Sequence, residues 1–209
     1  MSDMNKQQSQ RGRPVNEQAR QGRIARILDG ARRCFVAAGF HGSTTAQISA
    51  AAGVSVANLY QYYPTKEALI TALIDLDLKR HASMIVRFWA SDLSPDAIKE
   101  ALGDIFLSKE GHDVAVLRAE IASEGARNPD VADMLRRSEV QLFALLNGNI
   151  RAAQQDGRIS RNVDPIAVGE RLALAFEGIM RLYVFSPDDG ETLLARYYAQ
   201  LAETLHLNA

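Results

Sequence analysis

The chain has 209 residues, enough for one large or two small domains, and its single cysteine excludes a disulfide-stabilised scaffold. Apolar residues make up 47% of the sequence and charged residues 23%, as in an ordinary globular protein with a substantial core. Residues 1–66 carry nine Lys and Arg against three acidic residues, and residues 67–209 carry fifteen against twenty-two, which is typical of a polyanion-binding module joined to a body that does not bind polyanions.

Residues 1–16 are a polar stretch with few large apolar side chains, which we predict to be a flexible basic arm. The arm lacks the apolar core of a signal peptide, and this feature together with the lone Cys34 predicts a cytoplasmic protein. Arg11-Gly12-Arg13-Pro14 resembles the core of an AT-hook, whose two arginines lie in a narrow minor groove. A basic tail that only aids solubility is the alternative, and four residues do not distinguish the two.

A helical segment follows the arm. Apolar residues recur at helical spacing from Ile24 to Ala38, and Gly39 ends the run. Cys34 lies within this apolar pattern, so we favour a buried structural thiol over a redox sensor.

The next residues have the pattern of a helix-turn-helix. Thr44 and Gln47 form a predicted capping box at the start of one short helix, and Ser55 caps the next, which runs to Tyr62. Gly53 supplies the turn between them. Two short helices around a tight glycine turn predict a unit whose second helix lies in the major groove of DNA.

This unit is uncharged, since no Lys, Arg, Asp or Glu occurs between Cys34 and Thr65. The tract is long enough to span a bilayer but too polar to do so, and we expect no contact with a membrane. We assign residues 17–66 as a DNA-binding domain, which must obtain its phosphate affinity from other cations. The candidates are Arg11, Arg13, Arg20, Arg23, Arg26 and Lys66.

Residues 67–209 are predicted to form a helical body. One long helix starts at Pro64-Thr65-Lys66-Glu67 and runs to about Ala90, and another helix starts at Gly111-His112-Asp113. Because β-branched runs with period-two alternation are absent, the sequence predicts an all-α protein of about nine helices. Four further helix starts place a capping residue before a proline: Ser94-Pro95, Asn128-Pro129, Asp164-Pro165 and Ser186-Pro187.

The last two helices, at about residues 165–206, each carry an apolar stripe. The stripes can pack within one chain or pair with a second copy in a four-helix bundle. We favour a homodimer through these helices, because one helix-turn-helix contacts too little DNA for useful specificity. The stripes are Val168, Leu172, Ala175, Phe176, Ile179 and Tyr183 in one helix, and Leu194, Tyr197, Tyr198, Leu201 and Leu205 in the other.

The N-terminal region resembles the DNA-binding domain of the TetR/AcrR family over about residues 20–70. The resemblance implies a homodimeric transcriptional regulator, most often a repressor, that binds a palindromic double-stranded DNA operator. It further implies release by a small molecule in a C-terminal regulatory and dimerisation domain, with no cofactor. Three stretches carry the similarity: Gly39-Phe40-His41-Gly42-Ser43-Thr44-Thr45, Ile48-Ser49-Ala50-Ala51-Ala52-Gly53-Val54-Ser55 and Leu59-Tyr60-Gln61-Tyr62-Tyr63-Pro64-Thr65-Lys66-Glu67-Ala68-Leu69.

The predicted DNA contacts lie mostly on the helix after the glycine turn. Val56 and Ala57, near its N-terminal end, suit thymine methyl groups, whereas Leu59 faces inward. By resemblance, Tyr62 and Lys66 match family positions that hold the sugar-phosphate backbone. The full set of predicted DNA-binding residues is Arg11, Arg13, Thr45, Ser55, Val56, Ala57, Asn58, Tyr60, Gln61, Tyr62 and Lys66.

A ligand pocket in the body is implied by the resemblance, and the sequence gives candidate residues for it. Arg118 and Glu124 lie on or beside an apolar helix face, where they either form an internal ion pair or contact a polar ligand. The candidate wall residues, each of which also suits ordinary core, are Phe88, Trp89, Phe106, Met134, Phe143, Phe176 and Met180.

The sequence does not predict an enzyme. Nucleophile-elbow, zinc-protease, P-loop and dinucleotide-binding motifs are absent, and the four histidines have no metal-ligand spacing. A DNA-binding regulator whose body responds to a protein partner, or to no ligand, is the alternative that stays open.

Overall fold

The fold is all-α, as the sequence predicts. The computed structural model describes residues 17–207, in which nine α-helices and one 3₁₀ turn are the regular elements. The helices are α1 (Glu17–Gly42), α2 (Thr45–Ala52), α3 (Val56–Tyr62), α4 (Lys66–Trp89), α5 (Pro95–Phe106), α6 (Lys109–Gly125), α7 (Pro129–Gln155), α8 (Pro165–Phe185) and α9 (Gly190–Leu205), with the 3₁₀ turn at Pro187–Asp189.

Side-chain caps define the short helices of the helix-turn-helix. Thr44 Oγ1 accepts a hydrogen bond from the Gln47 amide at 3.2 Å, and Gln47 Oε1 accepts one from the Thr44 amide at 2.8 Å, which is the predicted capping box. Ser55 Oγ accepts from the Asn58 amide at 3.1 Å. Each cap is worth about 1 kcal/mol, a large contribution for helices too short to be stable alone. Gly53 has φ 64° and ψ 37°, the left-handed conformation that ends α2.

Helix α1 is interrupted at the glycine where the sequence predicts its end. Gly39 has φ 72° and ψ 171°, a backbone conformation that glycine adopts readily and other residues rarely do. A last short turn continues to Gly42. Cys34 lies half-buried on this helix, and burial raises the pKa of its thiol, which suits a structural residue.

The predicted helix starts of the body are found with two differences. At α5, α7 and α8 a capping side chain before the proline accepts hydrogen bonds from backbone amides of its helix. Pro187 instead begins the 3₁₀ turn, and α9 starts at Gly190. Helix α6 starts two residues before Gly111, because Ser108 Oγ accepts from the Gly111 amide at 3.0 Å and caps the helix there.

Two apolar clusters hold the helices together. The first joins α1–α3, here called the head, to the first half of α4 and to Leu117, Ile121 and Val131 of α6 and α7. The second lies among helices α4 to α9, which are here called the body. Because the first cluster extends beyond Lys66, the packing is continuous across the predicted domain boundary. Within residues 17–207, no helix has the length and apolar content needed to cross a membrane.

The predicted apolar stripes of α8 and α9 lie inside the chain. Leu172 is 2% exposed and Leu201 is 1% exposed, and both pack in the second cluster. The stripes therefore supply intramolecular core and are not free to pair with a second copy. Other apolar residues of α8, which the sequence pattern did not single out, are 42–74% exposed: Ile166, Leu174, Leu182 and Phe185.

Candidate DNA-binding face and effector cavity

Helix α3 presents a neutral outer face. Val56 and Tyr60 are 40% and 47% exposed, and Ala57 and Gln61 are exposed with them. Leu59 is completely buried, as predicted, and packs in the first cluster. Because Leu59 is the inward residue that holds this two-turn helix, the side chains predicted to contact bases point to solvent on the other side.

Hydroxyl groups tie this face to α1 and α2. The hydroxyls of Tyr60 and Thr45 lie 3.3 Å apart, which joins α3 to the first residue of α2. Arg23 Nη1 of α1 donates to the Tyr62 hydroxyl at 3.4 Å. Four residues able to hold phosphate groups thus lie in two pairs at the edges of the face.

Two polar residues of the predicted set are engaged within α3 itself. Ser55 is the helix cap, and Asn58 Nδ2 donates to Gln61 Oε1 at 3.3 Å. If Asn58 contacts a base, that contact replaces this long, exposed hydrogen bond. Ser55 can contact DNA only from its position as the cap of α3.

Two arginines of α1 have structural partners. Arg32 Nη1 donates to Asp113 of α6 at 2.7 Å, and Arg33 Nη2 donates to the Ala51 carbonyl at the end of α2 at 2.5 Å. Arg32 is held by two carboxylates, Asp29 and Asp113, and Arg33 forms an exposed ion pair with Asp29 at 3.2 Å.

Three exposed cations available for phosphate binding lie earlier on α1. Arg20, Arg23 and Arg26 recur every three residues and are exposed, and Arg20 forms an exposed pair with Glu17 at 3.2 Å. An exposed pair of this kind contributes little and exchanges readily. The predicted contacts of residues 11 and 13 lie outside the described part of the chain.

Lys66 has partners that the sequence did not reveal. Its Nζ donates to the Phe40 carbonyl at 2.6 Å and to the Ser43 carbonyl at 2.9 Å, and lies 4.3 Å from the centroid of the Phe40 ring. Phe40 lies in the last turn of α1 and Ser43 follows that helix, so both carbonyls belong to the segment that leads from α1 to α2. Lys66 therefore fastens the start of α4 to the turn before α2. Its ammonium group has three N–H donors, so one remains for a phosphate oxygen.

A buried carboxylate marks the contact between head and body. Glu124 of α6 is 5% exposed, and its Oε2 lies 2.9 Å from Nε2 of His41 in the last turn of α1. The Arg32–Asp113 pair is a direct polar link between α6 and α1, whereas Glu124 Oε2 lies close to His41 without accepting a hydrogen bond from any described residue. Glu124, a predicted pocket residue, thus belongs to the joint between head and body, and it is not paired with Arg118.

A cavity of about 580 Å³ lies in the body, bounded mainly by α4, α7 and α8. Its volume suits a drug-sized molecule. Val140 and Leu174, which are 68% and 74% exposed, lie at its mouth. Four of the predicted wall residues line it: Phe88, Trp89, Phe143 and Phe176.

Three predicted wall residues do not line this cavity. Phe106 is 2% exposed and packs against Tyr183, with ring centroids 5.2 Å apart. Met134 packs against the first cluster, and Met180 is buried in the second. Aromatic and Met side chains on helix faces fill core as readily as they line a pocket, and the sequence does not separate the two roles.

Charged side chains from three helices meet at one wall of the cavity. Arg118 of α6 donates to Asp77 of α4 at 2.6 Å and to Glu177 of α8. His81 Nδ1 lies 3.1 Å from Arg118 Nη1, and the ring packs edge-on against Phe176. Burial lowers the pKa of His81 to about 4, so at neutral pH the ring is uncharged and can accept from Arg118.

Several residues of this wall were missed by sequence reasoning. His81 carries a usable signal, since it lies on the buried face of α4 between Ile74 and Met84, where a polar residue needs a partner. Glu139, Glu170 and Glu177 carry none, because exposed glutamates on amphipathic helices are ordinary.

Comparison with known proteins agrees with this geometry. A family profile described as "Bacterial regulatory proteins, tetR family" matches residues 27–73. The HTH-type transcriptional regulator UidR of Escherichia coli (strain K12) is 33% identical over 149 residues, which are 71% of this chain and 74% of that protein. The chain belongs to the TetR family. The HTH-type transcriptional repressor Rv1474c of Mycobacterium tuberculosis is 26% identical over 166 residues, 79% of this chain and 84% of that protein.

Solved structures extend the TetR-family similarity to the body. GusR of Salmonella enterica superposes with a TM-score of 0.71 at 27% identity, over 95% of this chain and 100% of that chain. A TetR-family regulator from Rhodococcus superposes with a TM-score of 0.75 at 19% identity, over 88% and 99%. Since the family profile describes regulatory proteins and the curated relatives are named HTH-type transcriptional regulators, the predicted family, fold class and non-enzymatic function are confirmed.

Proposed function

We propose that this TetR-family regulator is a homodimeric repressor that acts in the cytoplasm on a palindromic operator. The observation that carries the proposal is the alignment of Val56, Ala57, Tyr60 and Gln61 on the outer face of α3. Val56 and Ala57 contact thymine methyl groups, and Tyr60 and Gln61 contact base edges or phosphates. Arg23, Tyr62 and the start of α2 hold the backbone on either side.

A second copy completes the DNA-binding unit. The exposed apolar residues Leu182 and Phe185, three residues apart at the end of α8, form an outward apolar surface on one of the two helices predicted to dimerise. On α9, exposed Ala195 and Ala199 permit close approach of another helix. A two-fold axis between two such surfaces presents two α3 helices to half-sites about one DNA turn apart.

A small molecule in the body cavity releases the operator. Helices α4 and α6 both line the cavity and both contact the head, through Lys66 and through the His41–Glu124 and Arg32–Asp113 contacts. An effector that prefers one arrangement of these helices therefore changes the separation of the two heads. Regulators with this fold hold different ligands: FadR of Bacillus subtilis is in complex with stearoyl-CoA, and one from Saccharomonospora viridis with choline.

The test of DNA recognition uses purified full-length protein to select fragments from genomic DNA, followed by sequencing and footprinting. Wild type should enrich a palindrome. Val56→Ala should enrich sites changed at a symmetric base position, because the shorter side chain cannot reach a thymine methyl group. Val86→Ala, a matched change at a residue of α4 with 47% exposure, should select the wild-type sites. Identical sites for Val56→Ala and wild type would show that α3 does not read bases through this residue.

A further inference from the structure

The charges around the body cavity indicate the chemical class of its ligand, an inference that rests on the proposed function. We propose that the cavity takes an apolar organic cation, a protonated or quaternary amine attached to a hydrophobic group. The two components match two features of the cavity, its acidic rim and its aromatic wall.

The rim is acidic. The described residues that line the cavity include three carboxylates, Glu139, Glu170 and Glu177, and one permanently charged cation, Arg118. His81 adds no charge at neutral pH, because burial keeps its pKa near 4. The lining therefore carries a formal charge of −2, and Glu139 and Glu170 have no ion-pair partner in the part of the chain that the structure describes.

The one cation is already neutralised. Arg118 binds Asp77 and Glu177 at the same time, and His81 is its third neighbour. Among the described residues Arg118 Nε alone has no hydrogen-bond partner on this guanidinium, and it is buried, so an anionic ligand reaches the cation only at this one N–H and meets Glu139 and Glu170 on entry. Anions are thus disfavoured at both the wall and the mouth.

The inner wall of the cavity suits a cation that carries an apolar group. Trp89, Phe143, Phe176 and Tyr197 contribute aromatic rings to the lining, and Trp89 and Phe176 are 3% and 8% exposed. Aromatic faces attract cations whose charge is spread over alkyl groups, and desolvation strengthens this attraction. The surrounding Met, Ile and Leu side chains accept the hydrocarbon part.

The position of Glu177 links binding to regulation. Glu177 both lines the cavity and ties α8 to Arg118 of α6. A cationic ligand competes with Arg118 for this carboxylate, which loosens α6 from α8. Since α6 contacts the head at Asp113 and Glu124, a shift of α6 changes its contacts with α1.

The test compares three molecules with one chain length: octyltrimethylammonium, 1-octanol and octanoate, below any micelle concentration. Isothermal titration calorimetry on the full-length protein without DNA should give a saturable site for the cation, weaker binding of the alcohol, and binding of octanoate at least tenfold weaker than the cation. Equal or tighter binding of octanoate, or no saturable site for the cation, would overturn the inference.

Paired variants locate the site. Glu139→Gln/Glu170→Gln should weaken binding of the cation about tenfold and leave binding of the alcohol nearly unchanged, whereas Glu100→Gln, on the exposed side of α5, should change neither. Unchanged cation affinity in the double variant would count against the acidic rim. Operator binding is measured separately with the same ligands, so a cation that binds without releasing DNA would contradict the proposed release mechanism and leave the ligand class standing.

Discussion

At the scale of single residues, burial of His81 gives the protein a pH-dependent stability. In the unfolded chain this imidazole has its ordinary pKa of 6.5, and in the folded chain burial lowers the pKa to about 4. Above pH 6.5 both states are neutral, and as the pH falls toward 4 the unfolded state alone gains the proton. The folded state therefore loses up to about 3 kcal/mol of stability over this interval.

We predict that His81→Asn removes most of this loss. The free energy of unfolding, measured in urea at pH 7 and at pH 4.5, should fall less in the variant than in wild type. His206→Asn, at an exposed position after α9, should keep the wild-type difference between the two pH values. A wild-type pH dependence in His81→Asn would mean that this ring is not responsible.

Lys66 illustrates what the sequence could predict for one residue and what it could not. The motif around it predicts a position beside DNA, since the residues before it form the helix-turn-helix. Its bonds to the Phe40 and Ser43 carbonyls were not predictable, because they depend on how α1 ends more than twenty residues earlier. The ammonium group thus has a structural role in addition to the proposed contact with phosphate.

At the scale of helices, local signals were sufficient for the head and insufficient for the body. A capping box, a serine cap and a glycine turn involve neighbours in sequence, so the limits of α2 and α3 could be read directly. The faces of α8 could not be assigned in the same way. Its strongest apolar stripe is buried by α9, α7 and α6, and a weaker set of apolar residues is left outside.

We predict that the outward surface of α8 mediates dimerisation. Leu182→Glu, at a residue with 42% exposure, should weaken dimerisation at least tenfold in sedimentation equilibrium, because a buried carboxylate would lack a partner. Leu76→Glu, on α4 with 45% exposure, is the matched control and should remain dimeric. Circular dichroism of both variants verifies the fold. A dimer of wild-type affinity in Leu182→Glu would exclude this surface.

At the scale of the whole molecule, attraction to DNA and reading of DNA are assigned to different segments. The helix-turn-helix has no charged side chain between Cys34 and Thr65, while Arg20, Arg23 and Arg26 are exposed on α1. Arg32 and Arg33 are occupied by bonds within the protein. The salt dependence of operator binding should therefore come from the early part of α1, from the arm before it and from Lys66.

The salt dependence of operator affinity tests this division most directly. For Arg23→Gln/Arg26→Gln, the slope of log K against log salt concentration should become shallower by roughly 0.9 for each phosphate that the variant no longer neutralises, with the preferred operator sequence unchanged. The control Arg151→Gln/Arg161→Gln removes two exposed charges near the α7–α8 connection and should keep the wild-type slope. A wild-type slope in the α1 double variant would contradict the assignment of phosphate binding to these arginines.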